Sequence, residues 1–147
     1  MNILIGCDPE LFVKDFNGSL LSAHAMIPGT KKYPHHVEKG AVQVDGMALE
    51  FNIDPADTEQ MFVDNVIHVM AQMNRMIRGH FYINPVAHFG EEMIKAQPKE
   101  AVELGCDPDY NGWSKEVNTP PNVNAPFRTA SGHIHVGWGE KRDMSSA

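Results

Sequence analysis

The run Ser131-Gly132-His133-Ile134-His135-Val136-Gly137-Trp138 carries the densest chemistry in the chain. Side chains alternate between the two faces of a strand, so His133 and His135 share one face and Ile134 and Val136 share the other. Paired imidazoles on one face can hold a metal ion or a phosphate. The flanking glycines let backbone or ligand approach closely. Two acidic segments upstream could complete the site: Asp8-Pro9-Glu10, and the stretch from Asp45 to Glu50. Hard ions such as magnesium take carboxylate oxygens and keep several waters, so a few carboxylates from separate strands suffice. Each feature also has a plainer explanation. A lone histidine is more often a satisfied core or surface residue, Asp8-Pro9 makes a turn unaided, and Asp45-Gly46 makes a hairpin turn. Arg128, just ahead of the histidines, could clamp a phosphate or carboxylate bidentately, or pair with an acidic residue.

Positioning these groups falls mainly to strands. Asn2–Ile5 and Leu11–Lys14 read as short strands, and Asn17-Gly18 as a hairpin turn returning through Leu20-Leu21. Pro28–Lys39 is polar and reads as a loop over the surface or the site. Ala41–Asp54 is the clearest strand region. Val42 and Val44 alternate with Gln43 and Asp45; Leu49, Phe51 and Ile53 share one face, Glu50 and Asn52 the other. Carboxylates on a central strand need partners or a metal. Asp54-Pro55 and a capping box at Asp57-x-x-Gln60 open a helix. Its apolar residues are Phe62, Val66, Val69-Met70, Met73 and Met76-Ile77, and Gly79 is its stop. His80–Phe89 reads as a strand broken by Pro85, and Pro98–Leu104 as a short helix ended by Gly105. Asp107–Pro126 reads as a loop delivering the chain to Arg128. Strands around one long helix predict an α+β class with a mostly antiparallel sheet.

The 147 residues suit a single domain, 1–147, with 42% hydrophobic content. A net charge of −7 with no basic run argues against broad binding to nucleic acid or an anionic membrane. Cys7 and Cys106, far apart, read as thiols in a reducing compartment. With no apolar stretch long enough for a span and no signal peptide at the N-terminus, the expected location is cytoplasmic. There is no phosphate loop, nucleophile elbow, Cys-x-x-Cys or dinucleotide fingerprint.

Four segments taken in order resemble a known family. They are Gly6-Cys7-Asp8-Pro9-Glu10-Leu11-Phe12; Asp45-Gly46 with Glu50-Phe51-Asn52; Gly105-Cys106-Asp107-Pro108-Asp109-Tyr110-Asn111 with Trp113; and Arg128 with Gly132-His133-Ile134-His135-Val136-Gly137. Together they resemble the phage-encoded carboxylate–amine ligases, or amidoligases, of the glutamine synthetase-like superfamily. The resemblance implies antiparallel strands curved into a half-barrel, with the long helix on its outer face, cupping ATP and magnesium or manganese. It implies joining of a small-molecule or peptide carboxylate to an amine through an acyl phosphate, in the host cytoplasm. Glu10, Asp45, Glu50 and His133 match metal ligands. His133 and His135 match nucleotide-contacting positions, and Asn52 and Arg128 match recurrent catalytic-site residues.

Family members usually continue beyond the His-x-His strand into a second half with further arginines and an acidic strand. The expectation is therefore an incomplete glutamine synthetase-like domain lacking its C-terminal half, with feeble turnover alone. Its open sheet edge would favour a second chain. Two other functions fit the same residues: a non-catalytic relative that binds a nucleotide, a metal or a protein, and a metal-dependent hydrolase using His133 and His135.

Overall fold

The structure, a computed structural model, describes residues 3–102, 110–118 and 124–138. Its strands and helices run β1 (Ile3–Cys7), β2 (Glu10–Lys14), β3 (Leu20–Leu21), β4 (His35–Val37), β5 (Gly40–Asp45), β6 (Ala48–Ile53), α1 (Glu59–Asn74), β7 (His80–Tyr82), β8 (Val86–His88), α2 (Glu91–Lys95), α3 (Lys99–Val102), β9 (Phe127–Thr129) and β10 (Ile134–Trp138). The class is α+β: a curled antiparallel half-barrel sheet and one long helix.

The main sheet has the order β3-β2-β6-β5-β4, with β7 also on β2. The β1–β10 ribbon leads into it without a break. Asp8 N donates to His133 O, Glu10 N to Ser131 O and Phe51 N to Pro9 O. The segment joining β1 to β2 is thus held between β6 and the approach to β10. Gly132 makes that approach feasible, because a Cβ there would lie 2.9 Å from Pro9 Cα.

Strand alternation separates the two faces. Val42 pairs with Phe51 and Val44 with Leu49. With Leu11, Val13 and Ile53 they pack against Val69 and Met73 of α1. Gln43 pairs with Glu50, and Glu50 with Glu10, on the opposite face. Phe12, Met47, Ala48, Ala87, Phe89 and Ile94 form a second core cluster. The long helix therefore backs one face of the sheet, and the other face carries this second cluster through Phe12 and Ala48, with the half-buried acidic residues beside it.

Several boundaries differ from expectation. Within Pro28–Lys39, expected to be loop throughout, β4 pairs with β5. The segment's path beside this pair needs Gly29, where a Cβ would meet Val42 O and His35 N, and ladder bonds override the segment's polar composition. Thr58, not Asp57, caps α1, with its side chain accepting from Met61 N at 3.2 Å. The helix ends at Asn74, short of Gly79, although Met76 and Ile77 still pack on the core from the following turn. Helix α2 was not anticipated; its first turn carries Glu91 and Glu92, and Lys95 pairs with Glu91 at 3.0 Å. Pro85 does separate β7 from β8, and Asn17-Gly18 does turn the β2–β3 hairpin, with Gly18 at φ +89°. The proposed helix stop at Gly105, Cys106, the Asp107–Asp109 motif and the residues after Trp138 lie outside the described residues. Among those described, no helix is long and apolar enough to cross a membrane.

Candidate metal centre

Glu10 opens β2, Asp45 closes β5 and Glu50 sits within β6. One carboxylate oxygen from each lies within 4.8 Å of the other two. This follows from register: Glu10 and Glu50 are directly paired, Gln43 pairs with Glu50, and Asp45 lies two residues beyond Gln43 on the same face. All three are half-buried.

Their partners are few and directional. Gln43 Nε2 donates to Glu50 Oε2 at 2.6 Å, and Ser131 N donates to Glu10 Oε2 at 2.8 Å. The Lys31 ammonium stands 3.5 Å from Asp45 Oδ2. Burial pushes the Glu50 carboxyl above its ordinary pKa; the Gln43 bond opposes this, and the charges of Asp45, Glu10 and Asp8 reinforce it. Carboxylates so close repel one another, and a divalent cation removes that repulsion while taking oxygen ligands.

The imidazoles sit beside this cluster. His133 was grouped with the carboxylates by sequence; its side chain instead engages Asp8. Asp8 Oδ1 accepts from His133 N at 2.6 Å and lies 3.0 Å from His133 Nδ1, while Asp8 Oδ2 lies 3.1 Å from His135 Nε2. The two rings are 6.1 Å apart, centroid to centroid. Burial pushes the Asp8 carboxyl up, but bonds from His135 and His133, and the His133 charge, outweigh it and leave the pKa lowered. The polar face therefore holds two adjoining groups, a carboxylate triad and an imidazole pair, linked through the two-residue step from Asp8 to Glu10.

Asn52 is exposed on β6, two residues beyond Glu50 and on the same strand face. With His135, Gly6, Ile53 and Gly137 it lines a small cavity of about 160 Å³ whose floor includes the buried Cys7. Arg128 lies on β9, buried, and donates to Ala125 O at 3.0 Å, Phe127 O at 2.8 Å and Val102 O at 3.4 Å. Those bonds tie the end of α3 to the entry of β9.

Asp8 and Gln43 were missed as site residues. Asp8 has the i, i+2 relation to Glu10 that puts both on one face, and Gln43 has the same relation to Asp45. No family model, curated protein or solved structure matches this chain.

Proposed function

We propose that the chain carries the metal-binding portion of an ATP- and divalent-metal-dependent carboxylate–amine ligase. The observation supporting this is the convergence of Glu10, Asp45 and Glu50 from three strands on one face of a curled sheet. The motif resemblance supplies the reaction class.

Glu10, Asp45 and Glu50 would hold magnesium or manganese. Such an ion supplies charge neutralisation for the oxygens of a transferring phosphoryl group. The Gln43 bond fixes one Glu50 oxygen, and the Ser131 N–H fixes one Glu10 oxygen, so two ligands are oriented beforehand. Lys31, at the rim beside Asp45, brings a cation to where phosphate oxygens would approach. His133, His135 and Asn52 flank the nucleotide side of the same face. A second chain on the open sheet edge belongs to this proposal and would complete the enclosure.

The test is ADP release from ATP and magnesium in the presence of mixed carboxylates and amines, with assembly state measured alongside. Amine-dependent release that disappears in Glu50→Gln supports the ligase. Nucleotide binding without turnover in every assembly state would assign a non-catalytic relative. Ester or phosphodiester cleavage without ATP would assign a hydrolase.

A further inference from the structure

We propose that Gln43 is the neutral fourth ligand of the carboxylate cluster: its amide nitrogen is engaged by Glu50, and its amide oxygen, Oε1, binds the same magnesium or manganese ion.

Gln43 is a buried polar residue, 8% exposed, on the strand face that carries the three carboxylates. It stands directly opposite Glu50 across the β5–β6 pair and two residues before Asp45. Strand β5 is itself paired on both sides, with β4 and β6, so the amide is presented by a rigid element.

One end of that amide is accounted for. Nε2 donates to Glu50 Oε2 at 2.6 Å. A carboxylate that takes a metal is ionised and can only accept hydrogen bonds, so the nitrogen faces Glu50 and the oxygen is left over. The other end is not accounted for. Among the described residues Oε1 accepts no hydrogen bond, and it is not sealed from solvent. Polar atoms of a side chain this buried ordinarily have a partner, because an unpaired one loses hydration without return. A hard cation is a partner of the right kind, since magnesium, manganese and calcium take carbonyl oxygens alongside carboxylates.

Charge also favours an amide here. Three carboxylates already exceed the charge of one divalent ion. A fourth would add repulsion among groups whose oxygens lie within 4.8 Å of one another. Gln43 adds an oxygen without adding charge.

This rests on the metal reading above and extends it, because there Gln43 only fixes a Glu50 oxygen. The full chain, labelled with ¹³C and ¹⁵N, is titrated with magnesium chloride while the side-chain carbonyl carbons are followed by NMR. The Gln43 Cδ resonance should move with those of Glu10 and Glu50 and saturate with the same constant. Two variants separate ligation from support of Glu50. Gln43→Met keeps the length and removes both donor and acceptor; Gln43→Glu keeps the oxygens but cannot donate to Glu50 when ionised. In manganese calorimetry Gln43→Met should lose on the order of 10-fold in affinity or more, since an outer partner alone is worth that much. Gln43→Glu should bind at least as well as Gln43→Met by a clear margin. Shifts at Glu10 and Glu50 with a stationary Gln43 Cδ would overturn this proposal and leave the carboxylate site standing. Unchanged affinity in Gln43→Met, or equal losses in the two variants, would do the same. No saturable shift at any of these carbons would overturn both readings. The wild-type spectrum decides even if neither variant folds.

Discussion

Glu50 and Asp8 are two carboxylates on one sheet face whose proton affinities move in opposite directions. Glu50 is raised chiefly by burial, with three acidic neighbours adding to it; Asp8 is lowered because the bonds from His135 and His133 overcome its burial. The consequences for stability have opposite signs. The raised Glu50 pKa contributes stability that is fully present below the ordinary carboxylate range, about 4, and is lost as pH rises through the folded value. The lowered Asp8 pKa contributes stability that is present above that range and is lost as pH falls through its folded value. In the metal-free chain, Glu50→Gln should therefore raise the melting temperature at pH 7 and have little effect at pH 4, because the amide keeps an acceptor for Gln43 without the charge. Thermal melts at the two pH values check this; a lower melting temperature at pH 7 would show that the Glu50 charge is well compensated. Metal affinity should begin to fall at a higher pH than for an unperturbed carboxylate site, since protons compete for Glu50 first.

At the scale of elements, capping and packing govern α1. Thr58 satisfies a first-turn amide, so Thr58→Ala should cost about 1 kcal/mol, or roughly 2–4 °C in melting temperature for a chain of this size. Unchanged thermal melts would place the cap elsewhere. Much of this level was legible in the residues. The division of Val42, Val44, Leu49, Phe51 and Ile53 from Gln43, Asp45, Glu50 and Asn52 follows from a period of two, and the β2–β3 turn follows from Asn17-Gly18. Strand β4 was not legible, because His35–Val37 is polar and is extended only through pairing with β5. The site was half legible. Glu10, Asp45 and Glu50 could be named, but the register that places Glu10 opposite Glu50 is a non-local pairing that composition does not encode. The bond from His133 to Asp8 spans 125 residues, so the sequence groups His133 with the carboxylates and does not show its pairing with Asp8.

Across the whole molecule, the sheet separates stability from chemistry. Its α1 side carries one core cluster; its other side carries the acidic residues beside the second cluster, and the imidazoles stand on the adjoining β1–β10 ribbon. Adjacent residues of β6 should therefore respond to mutation in opposite ways. Phe51, 1% exposed in the core against α1, should cost about 3–5 kcal/mol when replaced by Ala, measured by denaturant unfolding. A cost near zero would mean that the core is not packed as described. Glu50, its neighbour on the other face, should be dispensable for folding and required for metal. The most direct measurement is a calorimetric titration of manganese into the folded chain and into Glu10→Gln, Asp45→Asn and Glu50→Gln. The account predicts saturable binding in the wild type that each substitution weakens by at least tenfold, with the variants still folded. Equal affinity in the wild type and all three variants would contradict it.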